Sequence, residues 1–395
     1  MPERISRRRA LAAGIGMALG LTIGGTVRLG SVRAAAEEPS TWEPLGPAST
    51  PIGRLFTPAS GALLASNRDA LFRSDDGGAT WRTVDRPADT SVMTVSPTDH
   101  QLLFAAGAAG VLRSDDGGER WLPVSAPDGD WLLLEVSPVN PTVIYGVVVT
   151  SPPAEYGTNH WHEFRVSRDA GMNWETVRVD RERIVPGTQP CAYEVRSLQP
   201  LSVSAARVLT VEGCTRRGDA PRPHMSVDEG RSTTPFPSSS AENGPANAVV
   251  GGGGTNPNRW YIAQYYAGMA YTRIRHSRVL RSDDGETWTT IFEDDGGQPD
   301  RGTGRPMDFV SLLAYDPRRP DDVFALVTRY EPDPEPYKLH HATGSIVRMS
   351  RDAGTTWVEL GGSQLPSVSQ LAVGVDGRHL FAATSNGVYR LLLPQ

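Results

Sequence analysis

Short apolar runs that alternate with polar turns recur along the whole chain. One unit begins with the apolar run Ala70–Phe72, continues through the polar segment Arg73–Thr80 and ends in the alternating run Trp81–Val84. Alternation of apolar and polar residues between turn-forming residues is typical of β-strands. The pattern predicts a strand, a turn and a second strand, and its repetition predicts a fold built from equivalent sheets.

The turn segment is the most regular part of this repeat. Its copies follow the order Ser-x-Asp-x-Gly-x-Thr/Asn-Trp, except that the copy at Ser114 has Arg120 before the Trp, the copy at Ser282 is one residue shorter, and the copy at Ser226 ends in Ser232 without the Trp. We call the copies the repeat turns: Ser74–Trp81, Ser114–Trp121, Ser167–Trp174, Ser226–Ser232, Ser282–Trp288 and Ser350–Trp357. The positions that define them in the five copies with a Trp are Ser74, Asp76, Gly78, Trp81, Ser114, Asp116, Gly118, Trp121, Ser167, Asp169, Gly171, Trp174, Ser282, Asp284, Trp288, Ser350, Asp352, Gly354 and Trp357.

Each residue type in the repeat turn has a physical role. Ser and Asp side chains can bond backbone groups inside a turn, and Gly adopts backbone angles that a Cβ atom disfavours. We expect the Trp ring to pack between neighbouring sheets at the start of the outgoing strand. A metal site at Asp76 or Asp116 is the alternative interpretation, and a folding turn is the preferred one.

The repeat turn resembles the Asp box, or BNR repeat, of sialidases and other β-propellers. The resemblance implies a propeller fold, and it implies that the boxes lie on the face away from any active site. Propellers with this box also include xyloglucan-active hydrolases, sortilin-type receptors and a class of photosystem II assembly factors. Fold alone does not choose among these functions.

Counting strands predicts the number of blades. Seven strands lead into a turn, near Phe72, Leu112, Val166, Met225, Leu280, Arg348 and Tyr389. Seven lead out, at Trp42, Trp81, Trp121, Trp174, 233–236, Trp288 and Trp357. The chain opens with an outgoing strand alone and closes with three strands that lack one, so we predict that its two ends complete the same blade. The prediction is an all-β protein with a single seven-bladed β-propeller.

Composition agrees with a globular chain of many short strands, with 38% hydrophobic residues, 21% charged residues, 41 Gly and 32 Pro. Residues 1–36 carry six Arg and one Glu, so the charge of −6 for the whole chain leaves −11 for the rest. A chain this acidic is a poor candidate for nucleic-acid binding.

The N-terminal segment has the features of an export signal. Arg7-Arg8-Arg9 precedes an uncharged, Gly-rich run from Ala10 to Val27, and Ala34-Ala35-Ala36 offers a small-residue cleavage site. This arrangement resembles a Tat signal, with a Sec signal or an uncleaved anchor as alternatives. We therefore expect a Tat-like signal over 1–36 and the propeller over 37–395. The protein would be exported to the periplasm, the cell surface or the medium of a bacterium, and would meet a membrane only through a retained signal.

Four blades carry long insertions between their second and third predicted strands, and two connections between blades are also long. The insertions are Ser151–Glu163, Cys214–His224, Gln264–Arg278 and Tyr330–Ser345, and the connections are Arg181–Pro190 and Glu293–Asp308. In an antiparallel four-stranded blade all these segments lie on the face opposite the repeat turns. We expect a binding face there, over blades 3 to 6.

Aromatic and polar side chains in these segments suit a glycan or a protein ligand. The binding candidates are His160, Trp161, Tyr265, Tyr266, Arg273, Arg275, His276, Tyr337 and His340. The alternative is that the loops are polar because they are exposed, in a propeller with no ligand. Neither a cofactor nor a metal is expected, and the protein is expected to be a monomer.

Catalysis is a further alternative, as a glycoside hydrolase of the sialidase or xyloglucanase type. The candidates for the catalytic groups are Glu293, Asp294, Asp308, Tyr330, Glu331 and Arg54. Sialidases place a substrate arginine in an Arg-Ile-Pro motif in the first blade. The nearest match is Ile52-Gly53-Arg54, which lacks the Ile-Pro. The sequence therefore favours a binding or scaffolding module over an enzyme.

Both cysteines fall in the fourth predicted blade. Cys191 precedes its first strand and Cys214 follows its second, so antiparallel pairing brings the two positions together. An exported protein meets an oxidising compartment. We therefore predict a disulfide between Cys191 and Cys214.

Overall fold

The structure is a computed structural model, and every element that it describes is a β-strand. It describes residues 41–108, 110–124, 129–150, 161–180, 193–214, 222–236, 246–251, 256–267, 274–294, 307–331, 341–362 and 364–394. Within these ranges the side chains of 193–194, 214, 246–249, 265–267, 274–276 and 341–343 are not described. No helix of the described part is long and apolar enough to cross a membrane.

The strands form seven antiparallel sheets of four strands each. The first strands of the sheets are β2 (Arg54–Phe56), β6 (Thr90–Val95), β10 (Asp130–Val136), β14 (Tyr193–Leu201), β18 (Ala246–Gly251), β22 (Met307–Asp316) and β26 (Val368–Val373). The second strands are β3 (Leu63–Ser66), β7 (Leu103–Gly107), β11 (Ile144–Thr150), β15 (Ser204–Cys214), β19 (Trp260–Ala267), β23 (Arg319–Glu331) and β27 (His379–Thr384). The third strands are β4 (Leu71–Ser74), β8 (Gly110–Ser114), β12 (Trp161–Ser167), β16 (Arg222–Ser226), β20 (Ile274–Ser282), β24 (His341–Ser350) and β28 (Gly387–Leu392). The fourth strands are β5 (Arg82–Val84), β9 (Leu122–Val124), β13 (Glu175–Asp180), β17 (Thr234–Pro235), β21 (Trp288–Asp294), β25 (Val358–Leu360) and β1 (Glu43–Gly46).

First strands of most neighbouring sheets contact one another, so they surround the axis of a seven-bladed β-propeller. We number the blades 1 to 7 in the order of these first strands. Blade 7 takes three strands from the C-terminal end and its fourth, β1, from the N-terminal end, with Glu43 opposite Arg390. The predicted fold and its ring closure are therefore confirmed.

The hydrophobic core lies between the blades. Seven clusters of buried residues are found in the described chain, and each spans one boundary between neighbouring blades. Leu64 and Leu71 of blade 1, for example, share a cluster with Met93 and Leu103 of blade 2. Because each sheet is buried on both faces in this way, the sequences of its strands are nearly continuous apolar runs.

The repeat turns close by hydrogen bonds from their own residues. The Ser74 hydroxyl donates to Asp76 Oδ1 at 2.8 Å, and the Gly78 amide donates to Ser74 Oγ at 2.7 Å. The Thr80 hydroxyl and amide also donate to Asp76, and these bonds lower the pKa of Asp76 to about 2. The carboxylate oxygens of Asp76 accept hydrogen bonds from residues of the turn itself. This supports the folding interpretation over a metal site. Among the described residues no group of His, Cys, Asp and Glu is arranged to hold a metal ion.

The turn that lacks Trp has the same geometry. The Ser226 hydroxyl donates to Asp228 Oδ1 at 2.8 Å, and the Gly230 amide donates to Ser226 Oγ at 2.7 Å. Phe236, which packs against Trp260 and Trp288, lies buried near this turn. The Ser, Asp and Gly positions therefore determine the turn, and the Trp is dispensable for it.

Tryptophans of the repeat turns link neighbouring blades. The Trp81 indole N–H donates to the Leu45 carbonyl of blade 7 at 3.0 Å, and that of Trp121 donates to the Asp85 carbonyl after blade 1 at 2.9 Å. The expected position between sheets is confirmed for these two rings.

Strand connectivity assigns every loop to one of two faces. The repeat turns and the loops from first to second strands share one face, which we call the turn face. The loops from second to third strands and the connections between blades share the other, which we call the opposite face. The predicted insertions do join second to third strands, but they are shorter than predicted because the strands continue into them. What remains of them, 151–160, 215–221, 268–273 and 332–340, lies outside the described residues.

Candidate functional site

A cavity of about 1490 Å³ opens on the opposite face, between blades 1 and 4. Its wall includes the loop residues Asn67, Arg68 and Asp69 of blade 1 and Ala108 of blade 2, together with Asp89 from the connection between these blades. The deeper wall comes from the first strands of blades 1 to 4. The cavity is thus the part of the entrance to the central channel that the described residues form.

A repeated irregularity shapes this entrance. Six of the first strands skip one residue in their pairing with the second strand, as in a β-bulge. The skipped residues are Ser91, Leu132, Arg196, Asn247, Ser311 and Ser369. Bulges re-aim side chains and free backbone groups from the ladder, and they are common beside functional sites. Ser91, Leu132 and Arg196 all line the cavity.

Two of the bulge serines bind the next blade. The Ser91 hydroxyl donates to the Trp131 carbonyl at 2.6 Å, and the Ser369 hydroxyl donates to the Ile52 carbonyl at 2.6 Å. In blade 3 the bulge residue is Leu132, which has no hydroxyl and is 40% exposed. The bulge positions that line the cavity therefore carry a polar, an apolar and a charged side chain, at Ser91, Leu132 and Arg196.

Charged side chains cross the floor of the cavity. Arg54 of blade 1 donates to the Met93 carbonyl of blade 2 at 2.9 Å and lies 2.5 Å from Glu135 Oε1 of blade 3. The Thr94 hydroxyl donates to the other oxygen of Glu135 at 3.1 Å. The Arg54 guanidinium also lies 4.9 Å from the centre of the Phe56 ring. Three consecutive blades are thus joined at this depth.

Arg86 is a second arginine of the cavity wall that is hydrogen-bonded within the protein. Its guanidinium donates to the carbonyls of Asn67 and Thr90. Burial lowers the pKa of Arg86, and the charge of Asp69 acts in the opposite direction. Arg86 therefore fixes the connection between blades 1 and 2.

Of the six catalytic candidates, only Arg54 lies in the cavity. Asp294 and Asp308 come together near the opposite face at the boundary of blades 5 and 6, where the Asp308 amide donates to Asp294 Oδ2 at 2.9 Å. Arg348 Nη2 binds Asp308 Oδ2 at 2.9 Å. Glu331 lies 3.5 Å from Arg329, and Tyr330 packs edge-on against Phe309 at 6.0 Å. Glu293 lies opposite Arg278 on the strand that ends at Asp294.

Most binding candidates fall outside the described side chains. His160, Arg273, Tyr337 and His340 lie outside the described residues, and only the backbone is described for Tyr265, Tyr266, Arg275 and His276. Trp161 is half-buried at the start of β12, opposite Thr150. Cys191 also lies outside the described residues, and Cys214 pairs with Tyr193 through its backbone. The predicted disulfide stays a prediction.

A buried ionic cluster joins blades 3 and 4 near the opposite face. Arg178 Nη2 lies 2.6 Å from Glu212 and 2.8 Å from Asp180. His224 and Thr233 bind the other oxygen of Glu212 at 2.8 and 2.7 Å. Burial raises the pKa of Glu212, but His224, Arg178 and Thr233 together outweigh burial and lower it to about 2. For Asp180 burial dominates and raises its pKa.

The sequence did not single out Asp89, Asp130, Leu132, Arg68 or Arg196 as site residues. One available signal was an acidic residue just before or at the start of a predicted first strand, at Asp89 and Asp130. The bulges that place Leu132 and Arg196 leave no signal in a single sequence.

No protein-family model and no curated protein matches this sequence. Solved structures do match in fold. The GH74 xyloglucanase of Xanthomonas campestris is 15% identical with a TM-score of 0.58, over 89% of this chain and 53% of that enzyme. An oligogalacturonate lyase in complex with manganese is 10% identical with a TM-score of 0.59, over 91% of this chain and 97% of the lyase.

A third similar structure is YCF48 bound to D1 peptide. It is 15% identical with a TM-score of 0.52, over 92% of this chain and 98% of YCF48. This chain spans about half the length of the GH74 enzymes, 53% and 46% for two of them. At these identities the similarities show the β-propeller fold alone.

Proposed function

We propose that this protein is a binding module that takes a peptide segment of its partner into the cavity on the opposite face. The observation that carries the proposal is the cavity itself, about 1490 Å³ in volume and walled by the first strands of four blades. Ligand sites are concave, and rigid scaffolds place them where several elements converge. The irregular pairing at Ser91, Leu132 and Arg196 supplies side chains of different chemistry to one surface.

The lining favours a peptide over a glycan. Sugar rings commonly stack on exposed aromatic side chains, which offer a flat apolar face. Among the described residues of the cavity wall, Trp131 is the one aromatic side chain, and it is 1% exposed. Apolar Leu132 and several charged groups suit a peptide better. The fold similarity to YCF48 bound to D1 peptide, which extends over nearly the whole of both chains, supports this choice.

A glycoside hydrolase is the second candidate, because Asp294 and Asp308 lie close together near the opposite face. Glycoside hydrolysis needs two carboxyl groups about 5 to 10 Å apart beside a cleft. Neither residue lines the cavity, and Arg348 binds Asp308. This arrangement supports a structural role for the pair, and the peptide-binding proposal is preferred.

We also propose that the repeat turns are Asp boxes, that the propeller domain extends over 37–395 and that residues 1–36 are a Tat-like export signal. The turn geometry at Ser74 and Asp76 supports the first proposal, and the Arg-rich start of the chain supports the last. Sequencing the N-terminus of the protein recovered from culture medium or periplasm would test the signal. Export predicts a mature chain that begins at Glu37.

A selection experiment tests the peptide-binding proposal. Peptides from a random displayed library are selected on the wild-type protein and then tested against Leu132→Trp, which places a bulkier side chain at the bulge in the cavity wall. The matched control is Leu122→Trp, because Leu122 is 65% exposed at the turn-face end of β9. The proposal predicts that Leu132→Trp abolishes binding and that Leu122→Trp preserves it. Binding that survives Leu132→Trp, or a library with no binders, would contradict the proposal.

Turnover separates the two candidates. Chromogenic glycosides, sialosides and xyloglucan fragments are incubated with the wild type and with Asp294→Asn. The peptide-binding proposal predicts no turnover by either protein. Turnover that Asp294→Asn abolishes would establish the hydrolase.

A further inference from the structure

The charges in the cavity differ in what already binds them. Arg54 binds Glu135, and Arg86 binds two backbone carbonyls. Arg196 also interacts within the protein. Arg68 and Asp69 are neighbours in one exposed loop and carry opposite charges. Three of the four arginines in the wall are therefore engaged.

The two remaining charged residues of the cavity wall are Asp89 and Asp130. Each lies two residues before the bulge of its first strand, Ser91 in blade 2 and Leu132 in blade 3. They therefore occupy equivalent positions in neighbouring blades, at the mouth of the cavity. Both are exposed, and the described residues provide no ion pair or hydrogen bond to either carboxylate. Each of these two carboxylates is therefore open to a cation of a ligand.

An apolar side chain lies in the same cavity wall as these carboxylates. Leu132 is 40% exposed, and the bulge at this residue separates it from the pairing of β10 with β11. Val92 and Leu133 extend the apolar surface along the wall. Leu132, Asp89 and Asp130 therefore line one cavity.

We propose that the cavity recognises a basic side chain, lysine or arginine, next to an apolar one in the bound peptide. The apolar side chain packs on Leu132 while the cation meets the carboxylates of Asp89 and Asp130. This inference rests on the proposed peptide-binding function and adds the chemistry of the peptide. The formal charge of −11 on the chain after residue 36 acts in the same direction, because it attracts basic partners.

Three matched fluorescent peptides test the inference by anisotropy, with the full chain as the binding protein. The first alternates leucine and lysine, the second has glutamate for lysine, and the third has serine for leucine. We expect the leucine–lysine peptide to bind about tenfold more tightly than either of the others, and its affinity to fall as salt is raised. In the double variant Asp89→Asn and Asp130→Asn, its affinity falls about tenfold and depends less on salt.

Asp115→Asn is the matched control, because Asp115 is an exposed aspartate on the turn face of blade 2. It leaves the affinity unchanged. A glutamate peptide that binds as tightly as the lysine peptide, a lysine peptide that does not bind, or an unchanged affinity in the double variant would overturn the inference.

The two proposals fail in different ways. If library peptides bind and Leu132→Trp abolishes their binding, the proposed function holds even when the lysine peptide fails. If no library peptide depends on Leu132, the proposed function itself is wrong.

Discussion

Arg54 of blade 1 and Glu135 of blade 3 form an ion pair of 2.5 Å across the first strand of blade 2. The two residues are far apart in sequence. Arg54 also donates to the carbonyl of Met93, which belongs to the blade between them. The pair fixes the relative positions of the three blades that build most of the cavity wall.

The first prediction concerns this pair. Glu135→Gln removes the counter-charge of Arg54 and should lower the free energy of unfolding by about 1 kcal/mol, a modest value because both side chains are partly exposed. Glu119→Gln is the control, since Glu119 pairs with Arg82 on the surface. It should cost less than about 0.5 kcal/mol. Urea denaturation measures both, and equal effects would show that the pair does not hold the blades together.

The second prediction concerns glycines that contact the preceding blade. Gly118 has a φ of +99°, and a Cβ atom there would lie 2.8 Å from Val84 Cγ1 of blade 1. Gly61 has a φ of +83° with open space around it. Gly61→Ala should cost only the backbone strain, about 1 kcal/mol, whereas Gly118→Ala should cost about 3 kcal/mol. Similar melting temperatures for the two variants would contradict the close packing of turn against blade.

The third prediction concerns the turn without Trp. Ser226→Ala leaves the buried Gly230 amide without an acceptor and should lower the free energy of unfolding by about 2 kcal/mol. Ser74→Ala should cost about the same, because the bond from the Gly78 amide is equivalent. Ser202→Ala, at an exposed turn position, is the control and should be nearly neutral. A much smaller effect at Ser226 than at Ser74 would mean that the turn depends on Trp after all.

The fourth prediction is a dependence on pH. The folded protein lowers the pKa of Glu212 to about 2 from an ordinary value of 4.5, so its contribution to stability is present above pH 4.5 and is lost as the pH falls towards 2. Glu212→Gln should therefore lower the free energy of unfolding by about 3 kcal/mol at pH 7, with a smaller difference from wild type at low pH. Asp180 acts in the opposite direction. Because its pKa is raised in the folded protein, its ionised carboxylate lowers the stability of the fold at neutral pH. Urea denaturation between pH 3 and pH 7 measures the trend, and a difference that grows on acidification would contradict it.

The fold could be predicted because its signals are local. Ser74, Asp76 and Gly78 lie within five residues of one another, and their hydrogen bonds close a single turn. The same short pattern recurs once in most blades, so counting turns and strands was enough to predict seven blades. The closure of Glu43 on Arg390 followed from the unpaired halves at the two ends.

The cavity could not be predicted because its residues meet only through the ring. Arg54, Met93 and Glu135 are about forty residues apart in sequence, one blade after another, and nothing local marks them as neighbours. Arg54 was noted for a different reason, its likeness to a sialidase substrate arginine. The bulge at Leu132 depends on pairing with the second strand, which alternation of residue types does not reveal. Long insertions drew attention to blades 3 to 6, while the described cavity extends over blades 1 to 4.

Hydrogen–deuterium exchange with a library-selected peptide tests the central claim most directly, because it shows which face the ligand covers. We predict slower exchange on binding at 53–56, 90–93, 130–133 and 195–198, the first-strand segments around the cavity, with no change at the repeat turns. Protection of the repeat turns, with unchanged exchange in the four first strands, would place the binding site on the turn face and contradict the account.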